Sequence, residues 1–298
     1  MEHRARRWLA GLGSAAAVGA LVLGQAGPAT AAAARRSAAG LASTRAVRSD
    51  SRPVPGSAYA PPGTTLKFGM RGPAVKALQQ RLHYLHYWVG KINGYFGWDT
   101  QEAVWAFKEV QTGRIAPAHA NRVDSSTEHA LVHPRAPKVL FPHRAPLRIE
   151  INKKIEVLVL YKHSKVTLIS HVSTASRCRP DGCGWFTPGG FHRAIHYIPG
   201  KVADNSFGRS FMYWPVFFIG YTYAIHGFPN PIWGNRFYGV PLKPASHGCV
   251  RIPLDLSKIL HNYLHIGPDG TPIWIYPVNP PTWTSNAKIR WLQPGHPG

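Results

Sequence analysis

The sequence predicts an α+β multidomain chain, with a small three-helix bundle followed by a mainly β, sandwich-like domain. Three observations lead there. Between residues 63 and 134, apolar side chains recur at three- and four-residue steps, the period of an amphipathic helix. From Leu147 onward the period changes to alternation and β-branched runs, the pattern of strands. Between the two regions, residues 135–145 hold Pro137 and Pro142 among basic side chains, with Pro146 just beyond, which reads as a stiff connector.

The first helix follows Gly72-Pro73, with Pro near its start and Val75, Leu78, Leu82 and Leu85 on one face. Residues 93–97, Asn-Gly-Tyr-Phe-Gly, make a turn, after which Asp99 or Thr100 can cap a second helix carrying Ala103, Val104 and Phe107. A third, short helix is expected over Ser125 to Val132. In the second region Leu147, Ile149 and Ile151 alternate with polar residues. Ile155 to Tyr161 and Val166 to Val172 follow after the short turns at residues 152–154 and 162–164. These read as consecutive antiparallel strands. Further strands are expected at 194–198, 216–219, 221–226 and 273–276, with one helix over 254–264. The mainly β domain then spans 146–278, and a Pro-rich tail, 279–298, follows.

Composition bounds the rest. The 298 residues carry 35 Lys and Arg against 13 Asp and Glu, a formal charge of +22, and 44% are hydrophobic, enough to exclude wholesale disorder. Arg4, Arg6 and Arg7 precede an apolar stretch rich in Gly and Ala, and small residues at Ala29 to Ala31 offer a cleavage site. That is the layout of a signal peptide over 1–31. Only Leu21, Val22 and Leu23 are strongly lipophilic in a row, so a lasting membrane anchor is not expected. Residues 32–62 read as a flexible basic linker. An exported chain this basic suits anionic cell-wall polymers, lipid headgroups or acidic glycans; nucleic acid would rest on charge alone.

Three cysteines are present. Cys178 and Cys183 bracket a Pro-Asp-Gly turn, and export favours disulfides, so a local bridge between them is expected. Cys249 is left over, a candidate reactive thiol. It stands in the densest cluster of reactive types, Ser246-His247-Gly248-Cys249-Val250-Arg251. Thiol chemistry needs a thiolate, a base and donors for an oxyanion. Backbone N–H groups around His247, Gly248 and Cys249 could form the oxyanion pocket, and Arg251 would favour the thiolate. The base candidate is His226, at the end of the apolar strand Tyr223-Ala224-Ile225 and followed by Gly227.

Two resemblances sharpen this. Residues 69–75 (Gly-Met-Arg-Gly-Pro-Ala-Val), Leu78-Gln79, Leu82, the turn 94–97, Thr100, Ala103-Val104 and Phe107 resemble a peptidoglycan-binding repeat of the three-helix type. Lys108 stands where that family often has Gln, and the connection 113–124 is atypical. His226-Gly227, a loop, then Ser246 to Arg251 resemble the L,D-transpeptidase (YkuD-type) catalytic domain, as do Val172-Ser173-Thr174, residues 187–191 and Tyr213-Trp214-Pro215. That resemblance implies Cys249 as nucleophile, His226 as general base and then acid, and the Gly227 carbonyl as its orienting group. Ser246 and His247 would line the site, with Gly248, Arg251 and Tyr213 toward the substrate. The implied donor is a peptidoglycan stem tetrapeptide and the implied acceptor a diamino-acid amine, giving a 3→3 crosslink. Water as acceptor would give L,D-carboxypeptidase activity, and no cofactor or metal is implied. The loops 175–186 and 228–245 are enlarged relative to the pattern.

Two rivals belong to other classes. His261 and His265 share a helix face, but no Glu stands between them as in zinc hydrolases and no third ligand is evident. The other is a non-enzymatic wall-binding protein with the β domain as a degenerate scaffold; against it stands the presence of both Cys249 and His226.

Overall fold

The computed structural model describes residues 59–141, 145–179, 182–204, 210–228 and 240–278. The expected signal peptide, most of the basic linker and the Pro-rich tail lie outside the described residues, as does most of the loop 228–245. All described residues belong to one compact unit spanning 50–298.

The helical region opens with a short strand, β1 (Leu66–Lys67), followed by α1 (Pro73–Tyr84), α2 (Trp98–Thr112), β2 (Arg122–Val123) and α3 (Ser125–Val132). Pro73 opens α1 after Gly72, whose φ of 128° no side-chain-bearing residue adopts easily. Helix α2 is capped by Gly97, not by Asp99 or Thr100. Asp99 falls in the first turn, where the helix dipole favours an acid. Gly113 ends the helix in the left-handed conformation, φ 69°. The Asp124 carboxylate caps α3 by accepting the Thr127 N–H at 3.1 Å.

Two residues singled out by the resemblance are used structurally. The buried Gln79 amide accepts the N–H groups of Asn93 and Gly94 and donates to the Tyr95 carbonyl and Thr100 Oγ1, all at 2.8–3.0 Å, which fixes the turn before α2. Arg71 stacks over the Tyr95 ring at 3.9 Å. The departure at Lys108 also has a reason: its ammonium donates to the His119 carbonyl at 2.6 Å and ties down the atypical connection.

The β region holds β3 (Arg148–Asn152), β4 (Val157–Lys162), β5 (Lys165–His171), the short β6 (Cys178–Arg179) and β7 (Gly182–Cys183), and β8 (Gly190–Arg193). There follow β9 (His196–Tyr197), β10 (Lys201–Asp204), β11 (Ser210–Ile219), β12 (Tyr223–Gly227), β13 (Val250–Ile252), α4 (Leu254–Leu260) and β14 (Pro272–Tyr276). One sheet runs β5-β4-β3-β14-β8; the other runs β10-β11-β12-β13, with β9 added to β11. They enclose an apolar interior that includes Ile149, Leu158, Leu160 and Ile275 from the first sheet and Val216, Ile225, Val250 and Ile252 from the second, closed by Leu256 and Leu260 of α4. The first three strands pair antiparallel as expected, but β14 joins β3 in parallel and β13 joins β12 in parallel. Long crossovers precede both, and parallel pairing requires such connections. The expected strand at 194–198 is reduced to two residues, while β11 starts six residues earlier than its apolar run.

The helical region does not stand apart from the sandwich. Strand β4 is buried on both faces: Leu158 and Leu160 point into the sandwich, while Val157, Val159 and Tyr161 join Leu78, Leu82 and Phe107 in a second core. Such two-sided burial explains why Val157 to Tyr161 shows no alternation. Beyond α1, Tyr87 bridges Ile169 of β5; Trp88 N donates to Ile169 O and Ile169 N to His86 O, both at 2.8 Å. Helix α2 is enclosed nearly all round, with Gln101, Glu102, Lys108 and Glu109 buried beside its apolar residues. The connector is tied at each end: Gln111 exchanges two hydrogen bonds with the Arg135 backbone, and Leu140 N donates to Glu150.

Candidate active site

Strand β12 is held against β13 so that His226 lies opposite Arg251, which places Cys249, two residues earlier, level with Ala224. Alternation along extended chain puts Ala224, His226, Cys249 and Arg251 on one face of the sheet. The side chain of Cys249 accordingly packs with Met212, Phe217 and Ala224, while Ile225 and Val250 fill the sandwich interior. The Cys249 thiol is outside any disulfide and lies 3.7 Å from the Thr222 carbonyl oxygen and 3.9 Å from the Met212 thioether.

His226 is 5% exposed. Its Nδ1–H donates to the carbonyl of Gly227 at 2.8 Å, which leaves Nε2 as the basic atom. Burial and then the positive charge of Arg251 push its pKa down to about 3, against the opposing pull of the Gly227 carbonyl. The ring is therefore neutral at physiological pH. Gly227 is required for space: a Cβ would run into Ser257 Oγ and approach Leu254 Cδ1 at 3.0 Å, so α4 seats directly under the base. Tyr213 pairs with Gly227 across β11 and β12.

The nucleophile loop organises itself. Ser246 Oγ donates to the Cys249 carbonyl at 2.6 Å and accepts the Gly248 N–H at 3.1 Å. The Gly248 N–H is thus engaged within the loop, and an oxyanion pocket has to draw on its neighbours. Gly248 has a packing reason instead: a Cβ there would strike the Tyr223 ring and sit 3.2 Å from the Phe186 carbonyl. Trp185 meets the His247 ring edge-on at 4.8 Å. Arg251 points its guanidinium at the Ala245 carbonyl, 2.9 Å away, and over the Phe228 ring at 4.6 Å. Its charge acts on His226.

Segment 173–176 clamps this loop from the side. Ser173 and Arg251 exchange backbone hydrogen bonds at 3.0 Å, and Ala245 N and Ser246 N both donate to Thr174 O. Thr174 is held in turn by the buried Glu156, which accepts its N–H at 2.5 Å and its hydroxyl at 2.7 Å. Burial lifts the Glu156 carboxyl to about 7. Met212, Thr222, Trp185 and Glu156 were not legible as site residues, since each comes from a different stretch and none stands in a reactive cluster. The strand pair β6–β7 places Cys178 directly opposite Cys183; their side chains lie outside the described residues. Among the described residues no cluster of His, Cys, Asp or Glu could hold a metal, and no helix is long and apolar enough to cross a membrane.

Comparison with known proteins places two families along the chain. Residues 71–111 match the peptidoglycan binding domain family, and residues 146–288 match the L,D-transpeptidase catalytic domain family. The fold is similar to the crystal structure of an L,D-transpeptidase from Xylanimonas cellulosilytica, at 28% identity and a TM-score of 0.59, covering 73% of this chain and 100% of that one. An L,D-transpeptidase from Stackebrandtia nassauensis matches at 16% identity and a TM-score of 0.40, covering 74% and 98% of the two chains. Comparison with curated proteins gives no match. Both matched families act on the cell wall, which implies a peptidoglycan substrate and an extracytoplasmic place of work. The chain thus carries a peptidoglycan-binding domain followed by an L,D-transpeptidase catalytic domain.

Proposed function

We propose that the protein is an exported L,D-transpeptidase that forms 3→3 crosslinks through an acyl-enzyme on Cys249. The observation that carries this is the placement of a neutral, buried imidazole, tied through Nδ1 to the Gly227 carbonyl, on the same sheet face as the Cys249 thiol. His226 Nε2 takes the thiol proton as Sγ attacks the carbonyl of the third stem residue. The S–C bond forms, the C–N bond to the terminal D-alanine breaks, and the proton leaves with the alanine amine. The side-chain amine of a second stem then displaces Sγ, which regains its proton. Hydrolysis of the same acyl-enzyme, an L,D-carboxypeptidase activity, is the second reading, favoured if water reaches the thioester before an amine. The arginine-led N-terminus supports export, and the helical domain and basic linker support retention at the wall. The register of Cys178 and Cys183 supports a local disulfide, since directly paired strand positions fall within bridging distance.

The test is intact mass after incubation with a carbapenem, a mimic of the acyl donor, beside Cys249→Ala. A single adduct that vanishes in the variant is expected. An unmodified wild-type protein with an alkylatable thiol would sink the reading. Stem tetrapeptide with and without an amine acceptor then separates crosslinking from trimming.

A further inference from the structure

We propose that the second helix of the peptidoglycan-binding domain is a working part of the catalytic site: Glu102, and the Glu109–His171 pair, are positioning residues that set the path of segment 240–249 up to the nucleophile. The inference rests on Cys249 being the acylated thiol.

The segment is gripped at two ends by different parts of the chain. At its start, Glu102 of α2 accepts the N–H of Val240, and His171 Nε2–H donates to the Pro241 carbonyl at 3.0 Å. The other imidazole nitrogen, Nδ1–H, donates to Glu109 of α2 at 2.9 Å, with both side chains fully buried. Trp105 of the same helix sets its ring edge-on to His171 at 5.4 Å. Further along, Ser173 Oγ donates to Lys243 O at 2.8 Å, and Thr174 receives Ala245 and Ser246. Pro241 stands eight residues before Cys249. A helix from the wall-binding domain therefore fixes one end of the strap that carries the thiol, and the sandwich fixes the other.

The choice of groups argues for position rather than cohesion. Ionisable groups are costly to bury, and apolar side chains of the same volume commonly hold a contact as well or better. Here each buried polar group meets a backbone atom of one segment, or the group that does. Burial lifts the Glu102 carboxyl to about 8 against the pull of the Val240 N–H, so it is a neutral acceptor at physiological pH. Burial opposes charge on His171, but the Glu109 carboxylate and the Pro241 carbonyl together lift it to about 9. It is thus held doubly protonated, able to donate at both nitrogens at once.

Glu102→Leu separates the two roles, because it keeps the volume and removes the acceptor. In the full chain we expect a folded protein whose carbapenem acylation at saturating reagent slows by about 10- to 100-fold, the scale of a nucleophile displaced by about 1 Å. Glu102→Gln, which keeps a neutral acceptor, should restore most of the rate. Amide exchange should rise across 243–250 in the Leu variant and stay unchanged in β3 and β14. If Glu102→Leu does not fold, the double variant Glu109→Leu with His171→Leu replaces the buried pair whole and is read in the same way. A folded variant with wild-type acylation and exchange overturns the proposal, as does a loss that Gln fails to rescue. Should wild type itself remain unacylated, the functional reading fails, and the exchange pattern alone decides whether α2 positions the segment.

Discussion

Strand β4 has two neighbours, and they are built differently. Its inner face meets the opposite sheet through an apolar interior of Ile, Leu and Val. Its outer face meets the helical region through a second apolar core, richer in aromatic rings, and beside that core lie Glu102, Glu109, Glu156 and His171, all buried. The first contact excludes water and would tolerate other apolar side chains of like volume. In the second, titratable groups grip named backbone atoms of the strands and loops around the nucleophile. One contact makes the fold, and the other makes a particular geometry.

Five variants or conditions break or sharpen that contrast, in falling order of effect. His226→Ala belongs to the sandwich side and should slow acylation by about 10²–10⁴-fold, with the fold retained. Stopped-flow acylation beside a thermal melt checks this. His171→Ala leaves the Glu109 carboxylate buried without its partner and should cost about 3–5 kcal/mol in denaturant unfolding. Leu160→Ala in the sandwich should cost about 2–5 kcal/mol by cavity formation, and independently of pH.

Next comes pH. Glu102 and His171 both have folded-state pKa values raised above their ordinary ones, to about 8 and about 9. Their stabilising effect is complete below the unfolded values and is lost as pH rises through the folded ones. The melting temperature should therefore fall between pH 7 and 9, and less so in the variant carrying leucines at 109 and 171. His226 has the opposite sign, since its pKa is depressed to about 3. Its contribution is present above the ordinary imidazole value and is lost as pH drops toward 3. The smallest effect belongs to Lys258→Ala, which removes an exposed pair with Asp255 at 2.6 Å on α4 and should cost under about 0.5 kcal/mol.

The sequence revealed what depends on short spacing. The helix starting at Pro73 and the one over 125–132, the antiparallel run through 171, and the Ser246–Arg251 cluster with His226 all follow from local pattern. Its silence was on what depends on distant pairing. Nothing in Gln101, Glu102, Lys108 and Glu109 distinguishes a solvated helix face from one enclosed by a second domain. The unbroken apolar run 157–161 did carry a signal of two-sided burial, but a strand covered by its own domain would show the same. Tyr223 reaches Gly248 only because β12 and β13 run parallel, and no spacing along the chain announces that.

The short bridge from His86–Trp88 to Ile169 has a consequence for how the chain can be divided. Strand β5 is the last strand of its sheet, and an unpaired outer strand invites another copy to add itself there. The helical region occupies that margin through Tyr87 and Trp88. A catalytic domain excised at residue 146 would carry the margin bare, together with the apolar outer face of β4. Self-association of the fragment, visible in light scattering, is the expected outcome, so the boundary between the two family matches is no place to cut this chain.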